Sequence, residues 1–145
     1  MILRVMIVED EDMIRNGLVK TLPWADMGCT VIGSAGDGKS GLEQIVERRP
    51  DVVITDIRMP EMDGFEMLER ALAVYRFHII IFTSYAEFDY AQKAISMHAY
   101  DYLLKPLDEK RLAELLARIR ETEEPQEQLE TPGSFSAEEL LKRLA

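Results

Sequence analysis

Val52-Val53-Ile54-Thr55-Asp56 is the stretch of sequence that decides the fold. Four residues that favour β-strands are followed at once by a carboxylate. The same pattern, an apolar run that ends in polar residues, recurs on both sides of this stretch. Such runs end at Glu9-Asp10, Thr83-Ser84 and Lys105-Pro106, and a Gly36-Asp37-Gly38 turn lies between Glu9-Asp10 and Asp56. The repetition predicts strands whose carboxyl ends carry polar side chains.

Segments with apolar residues at helical spacing separate these runs. Strands are predicted at Leu3–Val8, 29–32, Val52–Thr55, 78–82 and 100–104, and helices at 13–22, around 42–46, from Asp63, at 88–97 and after Asp108. Five strands that alternate with five helices indicate βαβ units. We therefore expect an α/β fold with a doubly wound parallel sheet covered by helices on both faces.

Charge and composition exclude several classes of function. The 145 residues carry a formal net charge of −10, which opposes direct nucleic-acid binding because phosphate contacts need clustered Lys and Arg. No apolar stretch reaches the ~20 residues that span a bilayer, and no cleavable signal pattern is found, so a soluble, cytoplasmic protein without membrane contact is predicted. The single Cys29 is predicted to be a small core residue.

The composition changes near residue 121. From there to residue 133 the chain is rich in Glu, Gln, Pro and Thr, which predicts an acidic linker without a core of its own. Ser136-Ala137-Glu138-Glu139 then has capping-box spacing, and the leucines that follow predict a short amphipathic helix. We expect one domain over 1–121, followed by a tail over 122–145 that leads to an output domain absent from this chain.

Three acids at two of the polar strand ends predict a metal and phosphoryl site. The carboxyl ends of parallel strands lie at one rim of a sheet, so Glu9, Asp10 and Asp56 are expected to meet there. Like charges in one pocket raise each other's pKa unless a cation neutralises them, and Mg²⁺ prefers carboxylate, water and phosphate oxygens. With its charge shielded, a carboxylate can attack phosphorus, and the predicted product is an aspartyl phosphate.

Four motifs give the chain a resemblance to a known family. They are V-E-D-E at 8–11, T-D-I-R-M-P-E-M-D-G at 55–64, F-T-S-Y at 82–85 and Y-D-Y-L-L-K-P at 100–106. Together they resemble a response-regulator receiver domain of the CheY-like superfamily over residues 1–121. Pro23-Trp24, Tyr85-Ala86-Glu87-Phe88 and the segment 90–94 also resemble receivers that precede an AraC-type helix-turn-helix output domain.

The resemblance implies a flavodoxin-like fold with strand order 2-1-3-4-5 and a role for each acidic strand end. Asp56 is implied to be the phosphoacceptor. Glu9, Asp10 and Asp56 are implied to hold Mg²⁺ together with the backbone carbonyl of Arg58. Glu9 stands where many receivers have Asp, and its extra methylene group is expected to change the affinity for the metal but not the identity of the metal.

The remaining motif residues are implied to bind the phosphoryl group and to respond to it. Lys105 would pair with the phosphoryl group, and the peptide bond before Pro106 is implied to be cis and to aim Lys105 into the site. Thr83 would donate its hydroxyl to a phosphoryl oxygen and draw its loop inward. Tyr102 would then follow into the vacated space, although an aromatic residue in a strand is also an ordinary core residue.

The implied function is phosphorylation-dependent signalling in a two-component system. A sensor histidine kinase would phosphorylate Asp56, and phosphorylation would promote a homodimer that controls transcription through the absent DNA-binding domain. The chain would not be an enzyme beyond catalysing its own phosphotransfer and slow dephosphorylation. Ser84, which stands where a smaller residue is common, and Tyr85 and Arg58, which flank the pocket, are hypothesised to hinder the attacking water and to slow loss of the phosphoryl group. The alternative within this family is a stand-alone receiver that acts by protein–protein interaction.

A second motif supports an alternative of another class. Gly33-Ser34-Ala35-Gly36-Asp37-Gly38-Lys39-Ser40 fits the P-loop pattern G-x-x-x-x-G-K-S, and it follows a strand and opens a helix. A nucleotide-binding protein is therefore an alternative prediction. Asp37 argues against it, because its carboxylate would point negative charge into a phosphate cradle. The interpretation without a ligand is a turn in which the glycines supply unusual φ angles.

Overall fold

The apolar runs form strands and the amphipathic segments form helices in the computed structural model of the protein, which describes residues 1–123 and residue 141. In chain order the elements are β1 (Leu3–Val8), α1 (Asp12–Thr21), β2 (Cys29–Ala35), α2 (Gly38–Arg48), β3 (Val52–Thr55), α3 (Gly64–Leu72), β4 (His78–Thr83), α4 (Phe88–Ser96), β5 (Asp101–Leu104) and α5 (Glu109–Glu123). No helix in this part of the chain is long and apolar enough to cross a bilayer.

The five strands form one parallel sheet in the order β2-β1-β3-β4-β5, which confirms the predicted fold and strand order. The register places Val8 beside Thr55, Thr55 beside Ile81, and Thr83 beside Leu104. The carboxyl ends of β1, β3, β4 and β5 therefore lie level at one edge of the sheet. The order of the strands reverses between β1 and β3, which is where open α/β sheets form ligand sites.

The sheet separates two hydrophobic clusters. Alternate residues of β1 point to opposite faces, so that Met6 and Val8 pack with α2, α3 and α4, whereas Val5 and Ile7 pack with α1 and α5. Both faces are apolar, as expected for a parallel sheet between two layers of helices. Leu141 is helical and is partly buried against the cluster on the α2–α4 side.

Cys29 is buried in the cluster on the α1–α5 side, where the sequence predicted a small core residue. Burial raises the pKa of its thiol to about 11, and the nearby Arg120 guanidinium opposes this shift only in part. The thiol is therefore protonated at neutral pH, which suits packing and not nucleophilic chemistry.

β2 is longer than the sequence predicted. It continues through Gly33 and Ser34 to Ala35, because Gly33 and Ser34 pair with Met6 and Ile7 of β1 after a shift in register. These small residues are partly exposed on an edge strand. They lack the β-branched and aromatic side chains that mark a strand in a sequence, so the predicted end at residue 32 was too early.

α5 extends to Glu123, two residues past the domain end that was predicted at 121. Its apolar face ends at Ile119, and the last turn was therefore assigned to the linker by composition. The remainder of the predicted linker and the helix predicted around 136–144 lie outside the described residues, apart from Leu141.

A helix cap and a glycine close the loop after β3. Asp63 accepts a hydrogen bond from the Glu66 backbone N–H at 2.8 Å, as predicted for the N-cap of α3. The Gly64 N–H donates to the Ile57 carbonyl at 2.7 Å. A Cβ on Gly64 would lie 2.1 Å from the carbonyl oxygen of Asp56, so this turn admits no side chain without moving backbone.

Replacing Gly64 by Ala is expected to lower the free energy of unfolding by about 1–3 kcal/mol, because the added methyl group displaces backbone atoms of the β3–α3 loop. Urea unfolding at neutral pH measures the loss. Gly17→Ala is the matched control, since a Cβ on Gly17 in α1 meets nothing within 4 Å and Ala stabilises a helix by roughly 0.5–1 kcal/mol relative to Gly. Equal stability of the two variants would contradict the packing argument.

Candidate functional site

Three carboxylates meet at the carboxyl edge of the sheet. Glu9 follows β1 and is 1% exposed, and Asp56 follows β3 and is 7% exposed. Asp10 is more accessible than either. One carboxylate oxygen of each residue lies within 4.8 Å of the other two. The structure therefore brings together the three acids that the strand ends singled out.

The ammonium of Lys105 lies between two of these carboxylates. Its Nζ atom donates a hydrogen bond to Asp56 Oδ2 at 2.8 Å and lies 2.6 Å from Glu9 Oε1. Burial alone would lower the pKa of Lys105, but the hydrogen bonds and charges of Asp56 and Glu9 outweigh it and leave that pKa raised. Lys105 is thus held in its charged form. The peptide bond between Lys105 and Pro106 is cis.

Glu9 has an incomplete set of partners within the described part of the chain. Burial raises the pKa of its carboxyl, and Lys105 and the Glu11 backbone N–H, which donates to Oε2 at 3.0 Å, offset this only in part. Oε1, although close to Lys105, accepts no well-oriented hydrogen bond from the described residues. A buried carboxylate oxygen with free lone pairs, in a donor set made of oxygen alone, fits a hard divalent cation such as Mg²⁺.

Arg58 lies two residues after Asp56, in the β3–α3 loop. Its side chain stacks on Tyr85 and donates to Glu87 in the β4–α4 loop, and it donates to Tyr90 in the first turn of α4. The motifs placed Arg58 and Tyr85 beside the pocket but did not reveal the contacts with Glu87 and Tyr90, because no local spacing links these positions. The role predicted for the Arg58 carbonyl as a metal ligand stays a prediction.

Thr83 ends β4 and is fully buried beside Lys105. The backbone N–H of Lys105 donates to the Thr83 carbonyl at 2.8 Å. The Thr83 hydroxyl oxygen accepts the N–H of Tyr85 at 3.4 Å, and a hydroxyl that accepts in this way can still donate its own proton. The geometry is therefore compatible with the donor role that the resemblance implies.

Tyr102 lies in β5 with its side chain fully buried in the cluster on the α2–α4 side. Its hydroxyl donates a hydrogen bond to the backbone carbonyl of Tyr85. Burial raises the pKa of Tyr102, so the hydroxyl is neutral and able to donate. The ring belongs to the core and the hydroxyl reaches the β4–α4 loop, and its role as a switch stays a prediction.

The segment that fits the P-loop pattern has a different structure. Gly33 belongs to β2, and not to a loop that could wrap phosphates. Asp37 is the N-cap of α2, and its Oδ1 accepts the Ser40 N–H at 2.7 Å. The carboxylate thus occupies the helix terminus at which a P-loop binds phosphate. This geometry supports the interpretation of the segment as a capped turn.

A groove of about 600 Å³ opens beside Lys105. It lies between α1 and the β5–α5 loop, and Ile14, Leu18 and Pro106 contribute apolar side chains to its walls. Met13 also lines the groove and is 88% exposed. Lys105 contributes to the lining of this groove, whereas Glu9, Asp10 and Asp56 do not.

Comparison with known proteins gives the family that the motifs predicted. The family model for the response regulator receiver domain matches residues 5–117. The transcriptional regulatory protein HptR of Staphylococcus aureus is 40% identical over 119 residues, which cover 82% of this chain and 47% of HptR. The uncharacterized transcriptional regulatory protein YesN of Bacillus subtilis is 31% identical in an alignment of 153 positions that covers 97% of this chain and 42% of YesN. The chain spans less than half the length of these relatives.

Solved structures agree with this result. The REC domain of AraT, a response regulator from Geobacillus stearothermophilus, matches with a TM-score of 0.76 and 39% identity over 84% of this chain and 95% of that domain. A DNA-binding response regulator of the LuxR family from Staphylococcus aureus matches with a TM-score of 0.71 and 28% identity over 81% of this chain and 98% of that one. The predicted family and fold are confirmed, and the roles of single residues stay predictions.

Replacing Lys105 by Met is expected to lower the free energy of unfolding by roughly 3–5 kcal/mol at neutral pH, because two buried carboxylates lose their counter-charge. Without the ammonium the pKa of Glu9, already above its ordinary value of 4.5, rises further. A carboxyl group whose pKa is higher in the folded state than in the unfolded state stabilises the fold at pH values below its unfolded-state pKa. This stability is lost as the pH rises through the folded-state pKa. The loss of unfolding free energy in Lys105→Met should therefore become smaller as the pH is lowered.

Urea unfolding at several pH values, in a buffer with chelator, measures this deficit. Lys93→Met is the matched control, because Lys93 forms an exposed pair with Glu69 at 3.5 Å and such pairs contribute about 0–1 kcal/mol. A loss at Lys105 no larger than the loss at Lys93, or a loss independent of pH, would contradict the electrostatic account of the site.

Proposed function

This chain is a response-regulator receiver domain, and on that premise we propose that it accepts a phosphoryl group from a histidine kinase on Asp56 and so switches an output. One arrangement carries the proposal: the three clustered carboxylates, with Lys105 between Glu9 and Asp56. An acidic cluster alone would suit any hard cation. The neighbouring ammonium and the Thr83 hydroxyl add partners for a phosphoryl group.

In the proposed reaction, an oxygen of the Asp56 carboxylate attacks the phosphorus atom of a phosphohistidine. The P–N bond breaks, and its electron pair leaves with the imidazole of the kinase, which takes up a proton from water. Glu9, Asp10 and Asp56, with the Arg58 carbonyl, would hold Mg²⁺, which shields the charge between the carboxylate and the phosphoryl oxygens. Lys105, which binds Asp56 in the structure, would donate to a phosphoryl oxygen, and Thr83 would donate to another. The chain acts on itself and turns over no other substrate.

The proposed output depends on a shift between two arrangements of the domain. A phosphoryl group that binds Thr83 and Lys105 better in one arrangement raises the population of that arrangement. The hydroxyl of Tyr102 contacts the loop that follows Thr83, so a change in this loop reaches β5 and α4. We propose that phosphorylation thereby favours a homodimer.

Transcription regulation is the output that the relatives favour. HptR and YesN are named transcriptional regulatory proteins, and this chain matches less than half of each. The net charge of −10 opposes DNA contact by the receiver itself. We propose that DNA is bound by a further domain, of the AraC type that the sequence motifs resemble, and that the chain works in the cytoplasm with its kinase. A stand-alone receiver that acts by protein contact is the alternative.

The phosphotransfer proposal predicts that Mg²⁺ and a small phosphate donor add one phosphate to the chain. Intact-mass spectrometry after incubation with acetyl phosphate or phosphoramidate should show a single adduct in the wild type, a loss of the adduct in Asp56→Asn, and a loss in wild type with chelator. Asp37→Asn, which removes a carboxylate that caps α2 outside the site, should keep the adduct.

Two results would overturn this proposal. An adduct that persists in Asp56→Asn would move the phosphoacceptor to another residue. Absence of any adduct, together with failure of beryllofluoride to bind, would leave the acidic cluster without phosphoryl chemistry. Binding of Mg-ATP that is lost in Lys39→Ala would then establish the nucleotide-binding alternative.

Shielding of the acyl phosphate by Tyr85 predicts faster dephosphorylation when its ring is removed. Tyr85→Ala should raise the rate of phosphate loss by roughly three- to ten-fold, equivalent to about 0.7–1.4 kcal/mol of barrier. Decay of the phosphorylated mass after removal of the donor measures the rate. Phe88→Ala is the control, since Phe88 is 43% exposed against 40% for Tyr85 and begins α4. Equal rates for wild type and Tyr85→Ala would remove the support for shielding.

A further inference from the structure

The Arg58 side chain joins three residues that lie in or beside a different loop. Its Cζ atom lies 3.6 Å from the ring centroid of Tyr85. Its Nε donates to the Tyr90 hydroxyl at 2.8 Å, and one terminal nitrogen donates to Glu87 Oε1 at 3.0 Å. We call these four residues the Arg58 clamp. A planar guanidinium can stack and donate in two directions at once, whereas an ammonium is a point charge.

The Arg58 clamp bridges two parts of the fold that are separate along the chain. Arg58 lies two residues after the phosphoacceptor Asp56. Tyr85 and Glu87 lie in the β4–α4 loop, and Tyr90 lies in the first turn of α4. Since β3 and β4 are neighbours in the sheet, their loops are adjacent at its carboxyl edge. The Arg58 clamp therefore connects the β3–α3 loop to the start of α4.

Tyr85 is held by its backbone as well as by its ring. Its carbonyl accepts the hydroxyl of Tyr102, and its N–H donates to the hydroxyl oxygen of Thr83. The position of this one backbone segment thus determines whether both hydroxyls keep their partners. Arg58 stacks on the ring of the same residue, on the solvent side, with 47% of its own side chain exposed.

We propose that Arg58 is a positioning residue for the phosphorylation switch: its clamp holds the β4–α4 loop where Tyr85 keeps Tyr102 buried and Thr83 oriented. The signalling consequence rests on the proposed function, whereas the clamp itself is a property of the protein without a phosphate donor. A single exposed ion pair would contribute little. Here stacking and two hydrogen bonds share one guanidinium, so they form and break together.

The exposure of Tyr102 is the direct readout. The chain has five tyrosines, so 3-fluorotyrosine labelling gives five ¹⁹F resonances, and the variant Tyr102→Phe assigns one of them. The ring of Tyr102 is fully buried, so its resonance should show almost no H₂O/D₂O shift in the wild type. In Arg58→Ala, without phosphate donor, the exposed population should rise by about three- to ten-fold and the solvent shift should appear.

Graded variants separate positioning from general stability. Arg58→Lys keeps a cation near the ring but has no planar group that can stack on Tyr85 while it donates, so it should fall between wild type and Arg58→Ala. Tyr90→Phe removes one acceptor and keeps the ring that packs on Phe65 at 5.8 Å, and it should give a partial effect. Arg70→Ala is the matched control, because Arg70 pairs with Glu66 at 3.1 Å on an exposed helix face.

The same set of spectra contains the result that would overturn the proposal. If Arg58→Ala leaves the Tyr102 resonance and its solvent shift equal to those of Arg70→Ala, Arg58 does not position the loop. If Arg58→Ala unfolds, all five resonances collapse, and the variants Tyr90→Phe and Glu87→Gln then test the proposal instead. A Tyr102 resonance that is unchanged in both variants would reject the Arg58 clamp. No phosphate donor is used, so a chain that fails to phosphorylate Asp56 would refute the proposed function without affecting this measurement.

Discussion

The ammonium of Lys105 between Glu9 and Asp56 is the interaction on which the rest of the site depends. These three residues follow three different strands, and the ion pairs tie the ends of β1, β3 and β5 together at one edge. Two buried carboxylates so close together would repel each other without it. The register of the parallel sheet brings the side chains near one another, and the shared cation makes their burial tolerable. The burial of the carboxylates and the arrangement of the site therefore depend on the same contact.

The apolar runs and the polar residues that end them were enough to predict the sheet, its helices and the three acids at its edge. This succeeded because a parallel sheet buried on both faces leaves a continuous apolar signal in each strand.

The end of β2 was missed because Gly33 and Ser34 are small residues on an edge strand. The contacts of Arg58 were missed for another reason. They join residues 29 and 32 positions apart, and only the adjacency of β3 and β4 brings them together.

Tyr102 shows that two interpretations of one residue need not exclude each other. Its position in an apolar strand favoured a core residue, and the family motif favoured a switch. The structure buries the ring in the cluster on the α2–α4 side and leaves the hydroxyl bonded to the β4–α4 loop. An aromatic ring with one polar tip can satisfy both environments. Because packing fixes the ring, a small displacement of the loop changes the length of the hydrogen bond of the hydroxyl.

Glu87 lies near two possible partners, the Arg58 guanidinium and the N-terminus of α4. It occupies the N-cap position of α4 without a capping hydrogen bond, and its Oε1 accepts a hydrogen bond from Arg58. The free N–H groups and the dipole at the start of a helix also favour a carboxylate. If Arg58 moves away, the start of α4 offers Glu87 a replacement partner. A replacement partner of this kind lowers the free-energy cost of releasing Glu87 from Arg58.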